Sequence, residues 1–206
     1  MDWSYNSIMI NQLDVNKVYQ KDFKDNTINW PNQNFINSEY AILWHLKTSE
    51  KILSQIPKSD NLKFLQLNWA NITDFTIIAE RFKNLKRLEL NCCIKLINDD
   101  DLDLLNNLEI LNIYSSKKFE FGENILKLKN LKILRLNQCG PINNLEFLNY
   151  FKKLEDFRFV HTSILDGNLS PILQHPTIKS TGFLNKRHYN IKDIEMEKLL
   201  EEKFKK

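Results

Sequence analysis

The stretch NLKRLELNCC, residues Asn84 to Cys93, decides the fold because its leucine spacing recurs along the chain. Leu85, Leu88 and Leu90 follow the pattern L-x-x-L-x-L. The triplet returns at a constant interval, as Leu62, Leu65, Leu67; Leu108, Leu111, Ile113; Leu131, Leu134, Leu136; and Leu154, Phe157, Phe159. A degenerate copy follows one residue late, with Ile178, Thr181 and Phe183. Self-similarity at a period of about 23 residues is typical of solenoid proteins.

An earlier copy is indicated by Ile42 and Trp44, which fall one repeat interval before Leu65 and Leu67. We therefore expect these two side chains to occupy the fourth and sixth positions of a preceding unit.

Each unit combines two periodicities. The fourth and sixth positions alternate with the third, fifth and seventh, which predicts a short strand with two distinct faces. The second half of each unit has apolar residues three apart, which predicts a helical stripe facing the strand layer. The pairs are Ala79 and Phe82, Leu102 and Leu105, Ile125 and Leu128, and Leu148 and Phe151. One strand and one helix cannot bury their faces alone, whereas stacked copies can.

The pattern resembles the leucine-rich repeat family, L-x-x-L-x-L-x-x-N/C-x-L, over roughly residues 39 to 185. The fold class implied is an α/β solenoid, an arc with a parallel β-sheet on the concave face and helices on the convex face, capped at both ends. We assign residues 1–38 to an N-terminal cap that contains Trp3, Tyr5, Trp30 and Phe35. Residues 39–177 form about six units, and residues 178–206 form the last strand and a capping helix. The stretch NKRHY, residues 185–189, resembles the closing segment of bacterial leucine-rich repeat proteins.

Composition favours a soluble, cytoplasmic protein without a membrane span. The chain has 206 residues, of which 42% are hydrophobic, and a formal charge of +3. Its first residues lack the features of a signal peptide, and its longest apolar runs are far shorter than the ~18 residues of a spanning helix. Three cysteines, two of them adjacent, do not suit a disulfide framework.

The repeat indicates a structural role for two cysteines. The ninth position of successive units is small: Ala70, Cys93, Ser116, Cys139 and Thr162. Cys93 and Cys139 are two units apart, or roughly 10 Å, which is beyond the reach of a disulfide. We expect both to be buried and reduced, and Cys92 to be a partly exposed thiol at the rim of the sheet.

No motif predicts catalysis, a metal or a cofactor. The histidines His45, His161, His175 and His188 are scattered over different units, and no zinc-like spacing occurs. The acidic run NDDDLD, residues 98–103, falls where a convex helix begins. There, Asn and Asp side chains cap free N–H groups, so we interpret the run as a cap and not as a calcium site.

The concave face is the candidate binding surface, since positions three, five and seven point away from the core. We predict that it binds a partner through Phe64, Gln66, Trp69, Arg87, Tyr114, Ile133, Arg135, Asn137, Arg158 and His161. Arg135 and Arg158 would be like-charged cross-strand neighbours. Either Asp156 neutralises them or an acidic patch on a partner does. Truncation of Tyr114 or Arg135 should weaken a complex and leave the fold intact.

Two functions follow from this surface. The first is a non-catalytic module, monomeric when free, that recognises a folded protein partner. The resemblance to small, free-standing bacterial leucine-rich repeat proteins implies a sharper form, an immunity-type protein that neutralises a toxin. The alternative is a nucleic-acid or ribonucleoprotein-associated repeat protein, with basic contacts from Lys63, Lys86, Arg87, Lys132, Arg135 and Arg158. Acidic residues interrupt that basic surface and disfavour it: Glu89, Glu109, Glu155 and Asp156.

Overall fold

The fold is an open parallel sheet whose strands follow one another in chain order. It was obtained as a computed structural model that describes residues 2–3, 5–24, 34–53 and 56–205; Trp30 lies outside these residues. The strands are β1 Val18–Asp22, β2 Tyr40–Trp44, β3 Phe64–Asn68, β4 Arg87–Asn91, β5 Ile110–Tyr114, β6 Ile133–Asn137, β7 Asp156–Arg158 and β8 Ser180–Gly182. Every neighbouring pair is parallel, which confirms the leucine-rich repeat solenoid. The sheet has eight strands: six lie in residues 39–177, where about six units were predicted, and β8 lies in residues 178–206, where a last strand was predicted. The strand that was not predicted is β1, which lies in residues 1–38.

The register places the repeat's fourth position in one continuous core row. Leu65, Leu88, Leu111, Leu134 and Phe157 pair across successive strands. All five are 0% exposed, as predicted. Phe157 pairs with Thr181, which confirms that the last copy is displaced by one residue.

The first predicted copy is out of register, so the expectation for Ile42 and Trp44 was wrong. Ala41 pairs with Leu65 and Leu43 pairs with Leu67, so the spacing here is one residue longer than between the later units. Because side chains alternate along a strand, a shift of one residue moves each to the opposite face. Ile42 therefore lies on the concave side.

The convex side consists of short helical turns. The α-helices are α1 Glu50–Leu53, α2 Thr76–Arg81, α3 Ser170–Gln174 and α4 Asp193–Phe204. The 3₁₀ helices are Ile10–Gln12, Val15–Lys17, Phe35–Asn37, Leu102–Leu104, Ile125–Lys127 and Glu146–Tyr150. Three of the four apolar pairs, those that begin at Leu102, Ile125 and Leu148, match the three residues per turn of a 3₁₀ helix, in which residues i and i+3 share a face. The remaining pair, Ala79 and Phe82, belongs to α2 and the residue that follows it.

The acidic run does cap a helix, but in the next unit. Asp99 is 4% exposed, and its Oδ2 accepts a hydrogen bond of 2.8 Å from the backbone N–H of Ile125, where the following 3₁₀ helix begins. A Cβ at Gly122 would lie 2.0 Å from Asp99 Oδ1, so the carboxylate needs a glycine here. Asp99 therefore links one unit to the next.

The residue that follows each of the strands β2 to β6, and the equivalent residue three positions after β7, has a left-handed backbone conformation. The set is His45, Trp69, Cys92, Ser115, Gln138 and His161, with φ between 53° and 60°. This turn keeps the inter-strand hydrogen bonds in step: the backbone N–H of Trp69 donates to Asn91 O, and that of Cys92 donates to Tyr114 O, both at 2.8 Å. The backbone at the eighth position of each of these units therefore turns away from the sheet in the same direction.

Candidate functional site

The N-terminal segment, residues 2–3 and 5–8, lies across the concave face of the sheet. Arg87 on β4 holds it through backbone carbonyls. Nη1 of Arg87 donates to Trp3 O at 2.5 Å and to Tyr5 O at 2.7 Å, and Nη2 donates to Asn6 O at 3.3 Å. Arg135 on β6 adds a bond of 3.0 Å from its Nη1 to Asn6 O. Two arginines on the strands therefore bind the N-terminal segment through its backbone carbonyls.

Aromatic packing anchors the same segment. The ring of Trp3 lies 5.7 Å from that of Tyr40 and 6.2 Å from that of Phe64, which is a cross-strand neighbour of Tyr40. Around them a second apolar cluster, separate from the main core, contains Ile8, Leu13, Val18, Tyr40, Ile42 and Phe64. The N-terminal half of the concave face is thus a packed interior.

Four of the ten predicted binding residues are consequently buried, which corrects the expectation that they face solvent. Phe64 and Arg87 are 0% exposed, Ile133 is 6% exposed and Arg135 is 2% exposed. All four lie on the concave side as predicted, but for Phe64, Arg87 and Arg135 the N-terminal segment supplies the partner. The expectation that truncation of Arg135 leaves the fold intact does not fit this burial, because Arg135 holds the segment.

The other six remain accessible and form the open rim surface. Trp69 is 55% exposed and Tyr114 is 41% exposed. His161 is also exposed, and Gln66, Asn137 and Arg158 are partly exposed. Trp69, Tyr114, Asn137 and His161 lie toward the end of the strands at which the chain leaves the sheet, whereas Gln66 and Arg158 occupy the middle row. One approaching body could contact most of them.

Of the two predicted ways to neutralise Arg135 and Arg158, the structure shows the one through Asp156. These arginines are cross-strand neighbours, as predicted. Arg158 Nε donates to Asp156 Oδ2 at 3.0 Å, and Arg135 Nε lies 3.5 Å from Asp156 Oδ1. Burial lowers the pKa of the Arg135 guanidinium, and the Asp156 carboxylate opposes that shift.

The exposed indole of Trp69 is held in place by a residue that the sequence did not single out. The rings of His45 and Trp69 are stacked, 5.6 Å apart at 15°. His45 Nδ1 lies 2.9 Å from Asp22 Oδ1, which orients the imidazole. The shared eighth position of His45 and Trp69 in consecutive units could have indicated this pair.

A charge ladder occupies the opposite edge of the sheet, with one residue from each strand region: Lys17, Glu39, Lys63, Lys86, Glu109, Lys132, Glu155 and Lys179. Glu39 pairs with Lys17 at 2.8 Å and with Lys63 at 3.0 Å. Glu109 pairs with Lys86 and Lys132, both at 2.8 Å. Most of the basic side chains at this edge are therefore already neutralised within the protein.

Residues that could support metal or thiol chemistry are sparse. Among the described residues, no group of three or more His, Cys, Asp or Glu side chains could hold a metal ion. Burial raises the pKa of Cys93 and of Cys139 to about 12, so neither is a nucleophile near neutral pH. Cys93 is buried as predicted, whereas Cys139 is half-buried, with its Sγ 3.5 Å from Ile113 O. All three cysteines are free.

Comparison with known proteins identifies the fold. No protein-family model matches the chain, and no curated protein is similar to it. Among solved structures, it is similar to internalin C2 from Listeria monocytogenes, with 17% identity over 72% of each chain and a TM-score of 0.49. It is also similar to an internalin (inlF) from Listeria monocytogenes, with 14% identity, 77% of this chain, 48% of that chain and a TM-score of 0.52. Internalins are leucine-rich repeat proteins. The repeat, the parallel sheet and the similarity to inlF show that the chain has a leucine-rich repeat fold.

No helix among the described residues is long and apolar enough to cross a bilayer.

Proposed function

We propose that the protein is a non-catalytic binding module that recognises a folded protein partner through the open rim surface. The observation that carries this proposal is Trp69, an indole that is 55% exposed and stacked on His45. Tryptophan and tyrosine dominate the binding energy of protein interfaces, and they do so best when they are held rigid before binding.

The backbone at Trp69 supports the same proposal. Its φ of 53° is left-handed, a conformation that costs a non-glycine residue roughly 1–2 kcal/mol. Glycine adopts this left-handed conformation at a lower conformational free energy, because it has no Cβ. The other units have the same conformation at this position, so the turn is a feature of the repeat, and at Trp69 it carries an indole that is exposed at the rim of the sheet.

The charges of the sheet favour a protein partner over nucleic acid. A nucleic-acid surface needs several unpaired Lys and Arg side chains along one face. Lys63, Lys86 and Lys132 instead pair with glutamates of the charge ladder. Arg87 and Arg135 are buried beneath the N-terminal segment.

In its finer form the proposal is an immunity-type protein that binds and neutralises a toxin domain in the cytoplasm, as a monomer when free. Three free cysteines suit a reducing compartment. The resemblance to small, free-standing bacterial leucine-rich repeat proteins supports the immunity role by analogy of fold.

Capture of the partner from the native source, followed by calorimetry with purified variants, tests the proposal. Trp69→Ala and Tyr114→Ala should each weaken binding by about 2 kcal/mol, because each removes an aromatic contact at the interface. Tyr150→Ala is the matched control, since Tyr150 is 52% exposed but belongs to a convex helix. A complex that loses affinity only with the convex change would overturn the proposed surface.

A further inference from the structure

We infer that the concave face beneath the N-terminal segment is a groove for an extended peptide, and that the segment is a built-in occupant which a partner's peptide displaces. This inference rests on the proposed function and deepens it. It assigns a second contact to the same partner: an extended stretch of chain with an aromatic residue, beside the folded body that meets the open rim surface.

The groove recognises backbone, which any extended chain can offer. Arg87 donates to the carbonyls of Trp3, Tyr5 and Asn6, and Arg135 donates to that of Asn6. Glu89 orients the Arg87 guanidinium by accepting from its Nε at 2.6 Å. None of these bonds uses a side-chain atom of the segment. Another peptide in the same conformation would therefore satisfy both arginines.

One socket provides selectivity for an aromatic side chain. Trp3 contacts the rings of Tyr40 and Phe64, and the Arg87 guanidinium lies over Phe64 at 5.9 Å from the ring centre. Aromatic pairs attract each other by more than the burial of their area alone provides. The socket therefore favours peptides with an aromatic residue at the position of Trp3.

The built-in occupant satisfies the groove incompletely. Arg135 is 2% exposed, and its Nε is ion-paired with Asp156 Oδ1 at 3.5 Å but makes no hydrogen bond, while the Oδ1 of Asn112 on the neighbouring strand has no donor. Tyr5 and Met9 remain 48% and 63% exposed. A buried polar atom without a hydrogen-bond partner is destabilising. A peptide that reaches both groups would be held better than the segment.

The groove is also longer than its occupant. A cavity of about 480 Å³ continues past Asp2 and Trp3 toward β8, with Ile110 and Ile133 among its lining residues and Ser180 at its far end. A peptide that follows the path of the segment and continues into this cavity would meet the charged side chains that line it, among them Lys132, Glu155 and Lys179.

A fluorescently labelled peptide of residues 1–9, MDWSYNSIM, serves as the probe, with the full-length protein and fluorescence anisotropy as the readout. Trp3→Ala weakens the built-in occupant, so the variant should bind the peptide at least about tenfold more tightly than the wild type, because the free groove is populated more often. Tyr150→Ala is the control, because Tyr150 is exposed on a convex helix away from both proposed surfaces, and it should bind like the wild type. The same peptide with Ala in place of Trp should not compete.

Circular dichroism must show that Trp3→Ala is folded. If it is not, a wild-type experiment decides: the peptide with a photoreactive group in place of Tyr5 should cross-link to β4 and its neighbours. Absence of both the gain in affinity and the cross-link would overturn the groove and leave the segment a fixed cap. Loss of partner binding in Trp69→Ala would in that case still support the open rim surface, so the two proposals fail separately.

Discussion

Arg87 and Tyr5, 82 residues apart in sequence, are joined by a hydrogen bond of 2.7 Å from the guanidinium to the backbone carbonyl oxygen. Arg87 is 0% exposed and also forms an ion pair with Glu89, which is 6% exposed. A charged pair on the concave side of a repeat sheet is normally solvated. Here the N-terminal segment removes it from water, so the pair joins the first residues of the chain to the middle of the sheet.

Arg87→Ala should lower the free energy of unfolding by about 3–5 kcal/mol, since it leaves the Glu89 carboxylate buried without its cation. Urea unfolding followed by circular dichroism measures this change. Arg158→Ala is the control, because Arg158 also pairs with a carboxylate on its own strand but is partly exposed. Equal losses for the two variants would show that Arg87 is not buried under the segment in solution.

Leu111→Ala should lower the free energy of unfolding by roughly 2–5 kcal/mol, because Leu111 is 0% exposed and its truncation leaves a cavity in the central strand. Leu104→Ala makes the same chemical change at a residue that is 54% exposed. It should cost well under about 1 kcal/mol. Thermal unfolding of both variants checks the contrast, and similar midpoints would argue against the repeat core.

The repeat made most of the fold predictable. The core row from Leu65 to Phe157 follows from the constant repeat interval and from the alternation of side chains along a strand. The error at Ile42 and Trp44 shows the limit of extrapolating a period. One additional residue lies between β2 and β3, and no apolar spacing in the sequence marks it.

The candidate site was less predictable for a different reason. Trp69 and Tyr114 follow from their positions in the unit, and both are exposed. The burial of Arg87 and Arg135 depends on contacts over 81 to 129 residues with a segment that has no repeat register. The aromatic residues Trp3 and Tyr5 marked that segment as a cap, but their sequence contains nothing to show which face it covers.

Gly122→Ala should be destabilising by roughly 1–3 kcal/mol, because the new Cβ would overlap the Asp99 carboxylate. Asp99→Ala in the same chain should remove the overlap. The double variant should thus lose less than the two single losses combined. Gly182→Ala is the control, because its Cβ would meet only the flexible Arg158 side chain, at 3.4 Å. Additive losses in this double-mutant cycle, measured by urea unfolding, would contradict the contact between Asp99 and the turn at Gly122.

The buried thiols should make stability fall in alkali. The pKa of Cys93 is raised from 9.0 to about 12 by burial, so the folded state favours the neutral thiol. The stability that the protein gains by burying a neutral thiol is fully present below pH 9 and is lost as the pH rises toward 12. Above pH 9 the loss is at most about 1.4 kcal/mol per pH unit for one thiol.

Cys93→Ala removes this titration, so the wild type's stability relative to the variant should shrink between pH 9 and pH 11 in urea unfolding experiments. The comparison isolates the thiol because lysines and tyrosines titrate equally in both proteins. At neutral pH, a thiol reagent should label Cys92 first, since it is partly exposed at the rim, and Cys93 only on unfolding. Rapid labelling of Cys93 in the native protein would contradict its burial, as would a stability difference that does not change with pH.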